Sequence, residues 1–340
     1  MYGFLDKSMI ARQKGLGSVN DRFCVLLRAQ NEAVCPRSIA DRFKKSHCLG
    51  GTQISHRLMT DFWSWRLIFA VILNCVVVCL TIGAYAARLA GARSGRVATA
   101  ISLFNLFSTA GRLAAMIYLP ILGALADKAG FAAHQGAAEH AVVVNRFLWQ
   151  LRLIVFAGGG GALLGTVLLP TFVMFYLRAI TSFERLESIP KAALRVLSPA
   201  KILGLARAMR VARPSSLLRL PLRYVPKDVL LLNTLITAVY GIGVTAATYA
   251  SVLDPTAART ALLSSGLING LATIAYNIVV DPASALMTDR TVRGERSIRD
   301  VKALVAYLSL TAIAGYFVSQ LLLIPAAWLL VRTSTLITGR

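Results

Sequence analysis

The sequence predicts an all-α integral membrane protein with six transmembrane helices, and three observations carry that reading. Six apolar stretches fill 67–87, 97–126, 153–177, 229–249, 260–280 and 303–331, and a hydrocarbon core about 30 Å thick needs roughly 20 apolar residues in helix. The composition is 56% hydrophobic and only 15% charged, with a mean hydropathy of +0.63. The basic residues that remain cluster in alternate loops, held tight against the spans.

Residues 1–58 form a basic tail with ten Lys and Arg and no apolar stretch of its own. It reads either as disordered or as a mis-assigned start, with translation beginning at Met59. Residues 59–340 then make one six-span domain. Trp63 and Trp65 suit an aromatic belt just ahead of the first span. Within that span Cys75 and Cys79 read as small apolar side chains.

The second span holds Arg112 near its middle. A guanidinium at that depth costs about 2.5–3.5 kcal/mol or more, so it is expected to face a polar interior. Asn105, Ser108 and Arg112 are spaced i, i+3, i+7 and share a helix face. That face suits an anion, because a guanidinium fork matches phosphate oxygens; the alternative is a structural Arg tied to carbonyls or a carboxylate of another helix. In the third span, Gly158 to Gly161 stand in an unbroken run, and Ala157, Gly161 and Gly165 form a ridge of small residues. Close helix packing and a flexible hinge both fit that pattern.

A basic loop, 178–228, separates the third and fourth spans. Its stretch 191–213 mixes Leu, Val and Ala with Lys and Arg, as expected of interfacial amphipathic helices on anionic lipid. The fourth span carries Asn233, Thr237 and Tyr240, the fifth Ser265, Asn269, Thr273 and Tyr276, and the sixth Tyr316 and Gln320. These residues either glue helices together or line a wet central cavity.

Lys and Arg set the orientation. The segments 88–96, 178–228 and 281–302 carry 3, 11 and 5 of them, against 6 on the opposite side (Lys128, Arg146, Arg152, Arg259, Arg332 and Arg340). The positive-inside rule places the first three segments in the cytoplasm and the C-terminus outside.

The net charge of +22 belongs to this pattern and to contact with anionic membrane lipids, rather than to a nucleic acid. No metal-ligand spacing is present: His134, Glu139 and His140 fit no zinc pattern. No nucleophile stands with a plausible base, and no phosphate loop of the NTPase type occurs. The reading is therefore of a transporter without a cofactor, not an enzyme.

The run Ala84-Tyr85-Ala86-Ala87-Arg88-Leu89-Ala90-Gly91-Ala92-Arg93-Ser94-Gly95-Arg96, then Ser102 to Asn105 and Arg112, resembles the Amj family of bacterial lipid II flippases, an alternative to the MurJ type. The C-terminal half agrees: Asn233, Tyr240 to Gly243, Ser265 to Thr273, Asp281-Pro282 and Thr288-Asp289. The resemblance covers 59–332. It implies a carrier in the bacterial cell membrane that moves lipid II, an undecaprenyl-pyrophosphate-linked disaccharide peptide, from the cytoplasmic to the outer leaflet for peptidoglycan synthesis and so for cell shape. Such a cargo calls for cations, a wet groove and a flank open to lipid. The expected substrate contacts are Arg112, Asn105, Ser108, Arg88, Arg93, Asn233, Tyr240 and Asn269. Asp281 and Asp289 are the expected gating pair, latching onto Arg88 or Arg93, or else helix caps. A secondary transporter or channel for a small polar or anionic solute is the rival function. Energy source and self-association are left open by the sequence.

Overall fold

The computed structural model describes residues 63–133, 137–186, 210–212, 220 and 222–339, without the side chains of 110, 112, 137–139, 184–186 and 224. The tail 1–58 and most of the amphipathic stretch 191–213 lie outside these. The described chain is helical. Six segments are long and apolar enough to cross a membrane: Trp65–Ser94, Val97–Ala133, His140–Val167, Lys227–Leu253, Pro255–Val292 and Ile298–Ile337.

The first span is two helices, α1 (Trp65–Ala84) and α2 (Ala86–Ser94). Ser64 caps α1, its hydroxyl accepting from the Leu67 N–H at 3.2 Å. At Tyr85 the ladder tightens, its N–H reaching back three residues to the Ile82 carbonyl, so the span divides there into two helices. Gly95, at φ 71°, ends α2 in the left-handed conformation that glycine adopts without steric cost, and α3 (Val97–Ala133) turns back across the membrane.

The third span is α4 (Ala137–Val167), followed after a turn at Leu168 by α5 (Leu169–Leu186). The expected 153–177 is divided by a helix break at Leu168, and by length and composition the long apolar helix runs His140–Val167. Pro170 has no N–H for the Thr166 carbonyl, and the Thr166 hydroxyl itself bonds the Ala162 carbonyl. At the break, the Ala212 N–H donates to Val167 O at 2.9 Å, and the Thr171 hydroxyl bonds the Arg210 backbone.

The second half comprises α6 (Lys227–Leu253), then a short turn of helix Pro255–Ala257, α7 (Ala258–Leu263) and α8 (Ser265–Ala275). A π-helical turn at Tyr276–Val280 leads into α9 (Asp281–Val292), and α10 (Ile298–Ile337) closes the bundle. The fifth span thus runs from Pro255 to Val292.

Two helix pairs make the frame: α6 packs along α10, and α1 along α4, with α4 also against α10. Small residues permit both. A side chain at Gly161 would collide with the Cys75 carbonyl, and one at Gly315 would approach the Thr234 carbonyl to 2.8 Å. Gly158, Gly161 and Gly165 are therefore spent on packing in an unbroken helix, while Gly160 faces open space. Gly158 and Gly241 form a slot for the Tyr316 ring, where an added Cβ would stand 2.7 Å and 3.0 Å from it. The fifth span is peripheral: only 17% of its apolar window is buried, against 31–44% in the other five. Its stripe Leu267, Leu271, Ile274 and Ile278 is exposed, as fits a helix facing lipid.

Candidate functional site

Three residues beyond the tightened turn at Tyr85, Arg88 reaches the fifth span. Its Nη2 makes an ion pair with the Asp281 carboxylate and lies 3.4 Å from the Tyr276 hydroxyl. Its guanidinium carbon stands 6.0 Å from the Phe104 ring centroid on α3, within cation–π reach. Tyr85 stands beside Tyr276 and is buried. The cluster therefore ties together spans one, two and five.

Burial is unequal within it. The Arg88 side chain is 10% exposed and that of Asp281 50%. Arg88 Nη1 is buried and donates to nothing in the described structure. A guanidinium has five N–H donors, and here part of that capacity is held away from water without an acceptor. The π turn supports the same place. The Asp281 N–H bonds the Tyr276 carbonyl five residues back, and Pro282 follows directly, so Tyr276 and Asp281 are brought together by the irregular turn. α5 buttresses the site from outside: Phe172 packs on Gly83, so that a Cβ there would stand 2.7 Å from the ring, and Phe107 of α3 stacks edge-on against Phe172 at 5.9 Å.

The other expected residues are dispersed. Arg93 is exposed on α2. Arg112 belongs to α3, but its side chain is outside the described residues. Asn105 is exposed and Ser108 half-buried on α3. Asp289 pairs with Arg293 on its own helix turn at 3.0 Å, whereas Asp281 pairs with Arg88. Asn233 is fully buried in the α6–α10 interface rather than in a cavity. Its amide donates to the Leu308 carbonyl at 3.0 Å and the Thr311 hydroxyl at 2.8 Å. Tyr240 is half exposed. The Asn269 carbonyl oxygen is buried, without a partner, against Gly243 in a gap that any Cβ would close.

Two features escaped the sequence reading. The π turn has no composition signal of its own. The second is a groove at the Trp63 end of the bundle, with a volume of about 1000 Å³. Its signal was present in Asn145, Trp149, Arg152 and Phe156, spaced i, i+4, i+7, i+11 on one face of α4.

Comparison with known proteins agrees with this architecture. A family model described as Amj, alternate to MurJ, matches residues 73–334. The lipid II flippase Amj of Bacillus subtilis (strain 168) is 35% identical over 246 residues, which is 72% of this chain and 88% of that protein. No solved structure matches.

Proposed function

The chain belongs to the Amj family, and from that premise we propose that it carries lipid II from the cytoplasmic to the outer leaflet of the bacterial cell membrane, in support of cell-wall synthesis. The work is transport, not bond chemistry. By the positive-inside rule, the Arg88 end of the bundle is the cytoplasmic one.

The observation that carries the mechanism is the unequal pair: a nearly buried guanidinium with an unused Nη1 held by a carboxylate that remains half in water. A diphosphate arriving at this mouth competes with Asp281 for Arg88. It brings more negative charge than a carboxylate and enough oxygens to engage both guanidinium nitrogens. Arg93 lies exposed nearby in sequence and raises the local anion concentration. Displacing Asp281 removes the tie between the first and fifth spans. Elsewhere the fifth span packs mainly along α6, with its outer stripe facing lipid. It therefore swings as a gate, and the polyprenyl chain stays in lipid while the headgroup passes between helices. Arg112 on α3, with Asn105 and Ser108 on the same helix face, provides the next anion contact along the path. Tyr240 and Asn269 provide polar contacts deeper in the bundle.

The test uses purified full-length protein in liposomes that carry lipid II in both leaflets, with a headgroup-cleaving enzyme added outside. Wild type should allow cleavage to run past the outer leaflet's share, whereas Arg88→Gln should stop at it. Cleavage in wild type that never passes that share would contradict the reading and favour a small-solute transporter.

A further inference from the structure

Two groups of the fifth span meet Arg88 Nη2: the Asp281 carboxylate and, at 3.4 Å, the Tyr276 hydroxyl. A regular α-helix does not present these two residues together. At about 3.6 residues per turn, side chains five apart lie about 140° from one another around the axis. The turn at Tyr276–Val280 is π-helical instead, with the Asp281 N–H bonded to the Tyr276 carbonyl five residues back. Its wider winding brings both residues round to one guanidinium. Regular helix adjoins the turn on either side, as α8 and α9, so the irregularity is confined to the residues that present this pair. The ion pair with Asp281 already neutralises Arg88. The Tyr276 contact is long for an N–H···O bond, whose usual range ends at about 3.2 Å, and a neutral hydroxyl adds little to an ion pair. Its place beside the guanidinium points to another use.

A hydroxyl has one proton to donate and two lone pairs with which to accept. Here Arg88 donates to the Tyr276 oxygen, and Tyr85 stands beside it. With the cation on its lone-pair side, the Tyr276 O–H is turned away from Arg88 and polarised for donation to an anion. Among the described hydrogen bonds, those of Tyr276 and Asp281 run to Arg88 and none joins the two to each other. Tyr276 is half-buried and Asp281 half in water, so the place is open to an arriving ligand.

We propose that Tyr276 is a further cargo-binding residue: when the diphosphate displaces Asp281, its oxygens accept from Arg88 and from the Tyr276 hydroxyl together, and the π turn sets these two donors side by side. The inference rests on the flippase reading above. A diphosphate has oxygens enough to engage guanidinium and phenol at once, whereas the Asp281 carboxylate is bonded to the guanidinium alone. The hydroxyl thus favours cargo over Asp281 in the competition for Arg88. Because the contact is neutral, it holds the diphosphate at the mouth without replacing the ion pair as a tie, and it breaks as the fifth span swings.

The test titrates lipid II onto the purified full chain in detergent micelles, read by native mass spectrometry, and follows hydrogen exchange over 276–292 in the same preparations without ligand. Tyr276→Phe keeps the ring and removes the hydroxyl. The expected result is a lipid II Kd at least threefold above that of the wild type, with exchange over 276–292 unchanged. A Kd equal to that of the wild type overturns the proposal. So does a raised Kd accompanied by faster exchange, which would make the hydroxyl a brace of the fifth span rather than a cargo contact. Lipid II transport by the wild-type chain in liposomes is measured beside these titrations; where it is present, the flippase reading survives either failure. Its absence overturns that reading and this inference with it.

Discussion

Arg88 in the first span and Asp281 in the fifth meet in an ion pair across 193 residues of sequence, with the guanidinium nearly buried and the carboxylate half exposed. The geometry makes Arg88 the fixed member and Asp281 the replaceable one. Asp281→Asn should therefore loosen the fifth span while leaving the cation in place. Hydrogen exchange over 276–292 should rise, and lipid II should still move. Unchanged exchange would mean that the pair does not hold the span.

The charge-swapped protein Arg88→Asp/Asp281→Arg separates the two duties of Arg88. The swap can restore the tie between the spans, but it moves the cation to the exposed partner. Exchange over 276–292 should return toward wild type while transport stays lost. Recovery of transport would show that holding the span is the whole role of Arg88.

Asn233 is spent on the α6–α10 interface. Asn233→Ala should lower stability by about 0.6–2 kcal/mol, the usual worth of an interhelical hydrogen bond in membranes, with transport per folded molecule unchanged. Thermal unfolding in detergent, read beside the liposome assay, checks both halves. A selective loss of transport would return Asn233 to the cargo path.

Gly243→Ala puts a methyl group where the Asn269 carbonyl oxygen now sits. Overpacking of this kind costs about 1–3 kcal/mol. Asn269→Ala should rescue the variant, since it removes the obstructing oxygen, and a double variant no more stable than Gly243→Ala would contradict the contact.

The six spans were legible because apolar length is a property of composition alone. The meeting of Arg88 with Asp281 was among the expected pairings, because both residues lie at span ends on the same side. What stayed hidden depends on neighbours. The helix break at Leu168 stayed hidden because apolar residues continue through Pro170, and the helical start of α4 at Ala137 was masked by Arg146 and Arg152. Asn233 and Asn269 look alike in sequence, and each keeps a buried carbonyl oxygen without a partner, yet the Asn233 amide group is clamped to a carbonyl and a hydroxyl. That difference is set by which helix each one faces. The π turn at Tyr276–Val280 is an i+5 hydrogen-bond pattern in an ordinary apolar run, so nothing in residue type announces it.

Arg112→Ala should abolish transport without loss of membrane insertion, and Arg112→Lys should also be poor where two-pronged contact with phosphate matters. Full activity of the Lys variant would reduce the requirement to charge.

The central claim is tested most directly in bacteria whose resident lipid II flippase can be switched off. The full chain is expressed, and lipid II is probed with an externally added headgroup-cleaving enzyme. The account predicts accessible lipid II and continued growth with the wild-type chain, and neither with Arg88→Gln at equal membrane abundance. Lysis with lipid II trapped inside, despite normal levels of the wild-type protein, would contradict it.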